Sequence, residues 1–188
     1  MMKKRSTILI SAAILSFNSM AVTDVEMKVG KLSKKTKQQH QTIAQRLAES
    51  NCQYVINPIS DARDNKEAIS WSVNATGVQA WLDNVHKDVL SPLLPTHPRD
   101  ITIELTPKLN KLYTYNESMN INGMAVSTVD YTVNGQAPNK FYVRGFHSKT
   151  NWANGDSEFV ESAERATAQM VTKLLNNLPA ICEKATAA

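Results

Sequence analysis

The apolar positions of residues 140–178 change period once. Phe141, Val143 and Gly145 alternate with Tyr142, Arg144 and Phe146, the period of two that a strand imposes on its faces. After a polar stretch, Phe159, Ala163, Ala166, Met170, Leu174 and Leu178 recur at intervals of three and four, and Val171 and Leu175 widen that stripe. The pattern predicts a strand, a loop and then the longest amphipathic helix of the chain, with Glu161, Glu164, Arg165 and Lys173 mostly on its other side. Asp156, after Asn154 and Gly155, is suited to accept a hydrogen bond from a free amide of the first turn, and Pro179 marks the expected stop. A helix this apolar needs a sheet to cover.

Upstream, the spacing predicts a helix over 34–50, capped by Ser33 and buried only in its C-terminal half by Ile43, Ala44, Leu47 and Ala48. Cys52–Ile56 reads as a short strand that Asn57-Pro58 ends. The charged stretch 60–70 reads as a loop and 69–73 as another short strand. A second helix over 78–90 puts Val78, Trp81, Leu82, Val85 and Val89 on one face, and Pro92, Pro95 and Pro98 end it. From Asp100 the period returns to two at Ile101, Ile103 and Leu105, is interrupted by Pro107 and resumes over 112–115. Ala125, Ser127, Val129, Tyr131 and Val133 then define one face of a longer strand, and the turn cluster 134–139 joins it to the strand at Lys140. Helix, strand, helix, a strand meander and a last helix predict an α+β domain, with an antiparallel or mixed β-sheet of four to five strands and helices packed on one face. A doubly wound parallel sheet would need helices between the later strands, and the links there are too short.

Residues 1–21 carry a basic end (Lys3, Lys4, Arg5), an apolar run over 7–17 and small residues in Ser19-Met20-Ala21. This predicts a signal peptide cleaved after Ala21 and a periplasmic or secreted protein. The run is too short to persist as a transmembrane helix, and no cysteine follows it to take a lipid. The expected organisation is a signal over 1–21, a basic N-terminal arm over 22–33 and a single α+β domain over 34–188. Three of the 21 basic residues fall in the signal, whereas all 17 acidic ones lie beyond it, which leaves a mature balance of about +1. Nucleic-acid binding thereby loses its support. Lys28, Lys31, Lys34, Lys35 and Lys37 remain as a local cluster, read as a solvated, partly frayed arm or, more sharply, as a contact for an anionic lipid.

Cys52 and Cys182 are the only cysteines, and in an oxidising compartment they predict a disulfide between the end of the first helix and the end of the last. No CxxC or Cys/His cluster supports a metal, and no cofactor motif is present. Closing so long a loop stabilises by about 4–5 kcal/mol in the chain-entropy model.

The export signal, the early strand followed by Asp61-Ala62-Arg63-Asp64, the antiparallel strands, and the Ala- and Leu-rich final helix opening after a polar loop together resemble the small envelope proteins around the YajG lipoprotein family, over most of residues 50–178. The resemblance implies an envelope location and little defined chemistry. The chain departs from that family in having no cysteine to lipidate after its signal.

Among candidate chemistry, there is no G-x-S-x-G, HExxH, P-loop or G-x-G-x-x-G. His40, His86, His97 and His147 have no partner at ligand spacing on a helix face and read as ordinary surface or boundary histidines. Asp61, Arg63 and Asp64 place two carboxylates beside a guanidinium, which suits either a partner contact or an ion-pair network that fixes its own loop. Arg144, Lys149 and Trp152 mix basic and aromatic groups ahead of a helix N-terminus, as a binding rim would; the alternative is that Trp152 packs over the end of the sheet. Two functions follow as expectations. One is an exported, non-enzymatic envelope protein that binds a protein or lipid partner in envelope maintenance or transport. The other is a small secreted hydrolase using Asp61, Asp64 or His147.

Overall fold

A computed structural model describes residues 22–28, 34–151 and 155–187. The proposed signal, Lys31, Ser33 and Trp152 lie outside the described residues. The α+β expectation holds. Strands β2 (Cys52–Ile56) and β3 (Ser60–Asp61) both pair in parallel with the long β5 (Ile101–Glu117), which continues as an antiparallel meander into β6 (Asn120–Val133) and β7 (Asn139–Thr150). A separate two-stranded parallel sheet joins β1 (Thr23–Glu26) to β4 (Val73–Thr76). Helix α1 (Lys34–Glu49) packs against α3 (Asp156–Thr186), α2 (Val78–Val85) contacts β3, and α3 lies across β5, β6 and β7.

The sealed contact is between α3 and the meander. Phe159, Ala163, Ala166, Met170, Leu174 and Leu178 are all buried, as their spacing predicts. Gly123 of β6 and Gly145 of β7 sit beneath them, and a Cβ at either would overlap the backbone carbonyl of Ser162 or Ala166. The helix therefore rests on strand backbone through its small residues. On β5, inward positions run Ile103, Leu105, Leu109 and then shift phase to Leu112, because a bulge places Asn110 as an extra residue opposite β6. The Asn110 Oδ1 fills the gap by accepting from the Thr128 amide and hydroxyl, each at 2.7 Å.

Several elements differ from the sequence expectations, each for a physical reason. Pro107 does not interrupt its strand, because it falls in the break between β2 and β3 where no neighbour is in register on that edge. Pro179 does not stop α3: the helix continues to Thr186, anchored beyond the proline by the Cys52–Cys182 bond, whose Cα atoms are 5.9 Å apart. The strand expected over 69–73 begins only at Val73. Ser70 Oγ accepts from the amides of Ser72 and Val73 and folds the preceding residues into a tight turn. The 60–70 segment is not wholly loop, since Ser60–Asp61 joins the sheet edge. Within the arm expected over 22–33, Thr23–Glu26 is a strand and Met27 is buried, so that part is built into the domain rather than frayed. The second helix gains a π-turn over His86–Leu90 and a 3-10 turn through Pro92, and the wider turn makes Leu90 more deeply buried than Val89. Finally, β7 runs on to Thr150, so His147 and Lys149 are strand residues and the polar loop is shorter than expected.

Candidate functional site: a groove between three helices

The face of α3 that turns away from the sheet meets α1 and α2 across a gap, and a groove of about 810 Å³ opens there. This face carries the long side chains of Glu161, Glu164, Arg165 and Lys173, which line the groove, whereas the opposite face carries alanine and serine. Trp81 and Val85 from α2, Val89 from the π-turn that follows it and Val171 from α3 form an apolar floor, and His40 and Lys35 enter from α1. His147 and Lys149 close one end from β7.

Polar groups at the rim are arranged around Lys149. Its ammonium donates to Glu161 at 2.6 Å and lies 3.4 Å from Glu158, while Arg165 approaches the other oxygen of Glu161 at 3.7 Å. The bond to Glu161 raises the pKa of Lys149, and the same bond lowers that of Glu161. Burial lowers His147, and the charges of Arg165 and Lys149 add to that effect against Glu161. Burial raises Glu164, partly offset by the Lys28 amide, which donates to it at 3.1 Å. Among the described residues, four cationic side chains line the groove (Lys35, Lys149, Arg165, Lys173) against two carboxylates, Glu161 and Glu164.

Two pairs of histidine and hydroxyl lie at or beside the groove. Thr172 Oγ1 donates to the Ala168 carbonyl at 2.8 Å and lies 3.0 Å from His40 Nε2. Ser162 Oγ lies 3.3 Å from His147 Nδ1 and is fully buried on the sheet-facing side of α3. His40 itself is 3 % exposed and is a core residue of the α1–α3 contact, not the surface histidine its polar neighbours suggest. His86 donates to the Ile56 carbonyl at 2.7 Å and ties α2 to β2, and His97 is exposed.

The remaining residues singled out in the sequence are dispersed. Arg63 donates to both carboxylate oxygens of Asp61, at 2.8 and 2.9 Å, and to the Lys66 carbonyl at 2.6 Å, and both side chains are almost wholly enclosed. Asp61 is held further by Gln79 of α2, whose Oε1 accepts from the Asp61 amide at 2.8 Å. Asp64 is exposed nearby. Arg144 is exposed on β7, its carbonyl accepting from Lys173 at 2.9 Å. Of the five candidate partner-binding residues among the described residues, Lys149 alone lines the groove; the sixth, Trp152, lies outside the described residues. Lys35 comes from the lysine cluster read in the sequence as an anionic-lipid contact, whereas His40, Trp81 and Arg165, which sequence reasoning did not assign to a site, come from segments far apart in the chain.

No protein-family model matches the sequence, and comparison with curated proteins yields no relative. Among solved structures, the fold is similar to that of protein XCC0632 from Xanthomonas campestris, described with the family DUF330, at a TM-score of 0.53 and 10% identity over 88% of this chain and 100% of that one. It also aligns with lipoprotein GNA1162 from Neisseria meningitidis, at a TM-score of 0.29 and 8% identity over 69% of this chain and 98% of that one. The first likeness bears on the fold alone, and the second is too distant to argue from.

Proposed function

We propose that the chain is an exported envelope protein, non-enzymatic, that binds an anionic amphipathic ligand of the lipid class in the groove between α1, α2 and α3. One observation carries the reading: an apolar floor of Trp81, Val85, Val89 and Val171 lies beneath a rim where cationic side chains outnumber carboxylates four to two. An acyl chain gains from burial on the former and a carboxylate or phosphate from the latter. The envelope location is supported by the signal-like residues 1–21, the resemblance to the YajG type and the Cys52–Cys182 disulfide, which belongs to an oxidising compartment.

The test is fluorescence titration with a dansyl-labelled fatty acid. Binding is expected to produce energy transfer from Trp81. Val89→Trp, which fills the floor, and Arg165→Glu with Lys173→Glu, which reverses the rim, should each weaken capture by about tenfold or more, with thermal unfolding little changed. Absence of binding, or equal binding by all three proteins, would remove the groove from consideration.

A further inference from the structure

Two tie points fix how α1 lies on α3. The Cys52–Cys182 bond joins the chain just beyond the end of α1 to α3, and within α1 the His40 Nε2 lies 3.0 Å from Thr172 Oγ1. The two helices therefore run in the same direction, and one turn before the His40–Thr172 contact Thr36 on α1 and Ala168 on α3 stand at the same level. Both line the groove. Ala168 also divides the groove lengthwise: Arg165 of the charged rim is one turn before it, and Val171 of the apolar floor is one turn after it. A tail whose head group rests on Arg165 must pass Ala168 to reach Val171.

Ala168 is the smallest side chain lining the groove among the described residues, and the fold does not dictate its size. Ala163 and Ala166 are small where strand backbone lies against α3 at Gly123 and Gly145, whereas Ala168 is half-buried on the face away from the sheet. The helix does not require alanine either, since leucine, lysine, glutamine and glutamate stabilise it almost as well. Any of these would project into the space opposite Thr36. The charges at this level leave a place for an anion. Lys149 is held by Glu158 and Glu161, Lys173 donates to the Arg144 carbonyl, and Glu164 accepts from the Lys28 amide. Lys35 and Arg165, the latter only 3.7 Å from Glu161 at its nearest, are the cations left to meet a head group.

We propose that Ala168 is the threshold of the groove, which admits one extended acyl chain from the cationic rim to the apolar floor. This rests on the groove reading given above and adds the position of the chain to it, with the head group at Lys35 and Arg165 and the tail along α3. The lining residues continue to Asn176, about 16 Å beyond Arg165 at about 1.5 Å of rise per residue. An extended chain with C–C bonds of about 1.5 Å advances roughly 1.25 Å per carbon, so a tail of about 13 carbons fills that length.

Calorimetric titration of the intact, disulfide-bonded chain with saturated fatty acids from octanoate to hexadecanoate tests this. In the wild type each added carbon should tighten binding about two- to fourfold as far as tetradecanoate, and hexadecanoate should gain little more. Ala168→Phe should flatten the series to less than about tenfold between octanoate and tetradecanoate, because the tail is then left in water. Thr36→Leu, which narrows the passage from α1, should flatten it in smaller measure, and Ala168→Ser should follow the wild type. Thermal midpoints should stay close to wild type, since neither position faces the sheet. A series that rises as steeply in folded Ala168→Phe and Thr36→Leu as in the wild type overturns the threshold and leaves the groove reading standing. Capture of no fatty acid by the wild type overturns both.

Discussion

The two faces of α3 are built from different residues and have different consequences. Towards the sheet, Ser162, Ala163 and Ala166 bring helix backbone against Gly123 and Gly145, and no space remains. Towards α1 and α2, Glu161, Glu164, Arg165 and Lys173 line a groove. The stability of the domain rests on the first face and its capacity to hold something on the second, so substitutions on the two faces should separate in kind. A residue that is small because backbone lies against it cannot be enlarged, whereas a long side chain at a rim can be shortened with little penalty.

The largest effect should come from Gly145→Val. The new side chain meets the Ala166 carbonyl and the Met170 amide rather than a side chain that can turn aside. Loss of more than about 3 kcal/mol, seen as a collapse of the denaturant midpoint, is expected. A midpoint near wild type would mean that the helix lifts freely, and would erase the contrast between faces.

Next is a matched pair five residues apart on α3. Met170→Ala empties a fully buried site and should cost about 2–5 kcal/mol, while Arg165→Ala on the other face, with only an exposed pairing to Glu161, should stay within about 1 kcal/mol. Equal losses in urea unfolding would show that the groove face also carries stability.

The smallest effect is the pH dependence of the groove wall. Burial lowers the pKa of His40 below its ordinary 6.5, so the unfolded chain binds the proton more readily than the fold. Its contribution is fully present above about pH 6.5 and is lost as pH falls through the lowered folded value. Glu164, raised by burial, acts in the opposite sense, with the fold favoured as pH falls. The measurement is therefore the difference between wild type and His40→Gln in thermal midpoint from pH 7.5 to 5. The wild type should lose more of its midpoint over that interval, and parallel curves would exclude His40 as the source.

Much of this contrast is legible in the sequence on one side only. The sheet-facing stripe of α3, the inward positions of β6 and β7 and the pairing of the cysteines follow from periodicity and from the oxidising-compartment reading, because burial leaves a repeating mark. A bulge does not: Asn110 is an ordinary polar residue in a polar position, and the break in pattern falls visibly at Pro107 instead. Proline at 179 reads as a stop because local rules cannot see that tertiary contacts and a covalent bond hold the helix beyond it. His40 lies in a run of lysine, threonine and glutamine, with nothing local to announce its burial by α3. The groove is less visible still. It requires α1, α2 and α3 to converge, and each contributes residues at a boundary between polar and apolar faces where the pattern is weakest. The Asp61 and Arg63 cluster is conspicuous for the opposite reason: adjacent charges are easily seen, although these two are engaged with each other.

The order of the elements along the chain also constrains how the molecule can be made. The helix that covers the sheet consists of the last 31 residues assigned to any element, and the cysteine that closes the long loop lies within its final turns. A chain delivered N-terminus first, whether from a ribosome or through a membrane channel, therefore presents a three-stranded meander with a bare apolar face and two backbone-level notches before anything exists to fill them. Most of its contacts join residues far apart, so assembly is slow by nature and cannot proceed piece by piece. Delivery must reach α3 before the domain can close, and until then the exposed meander needs protection from other chains.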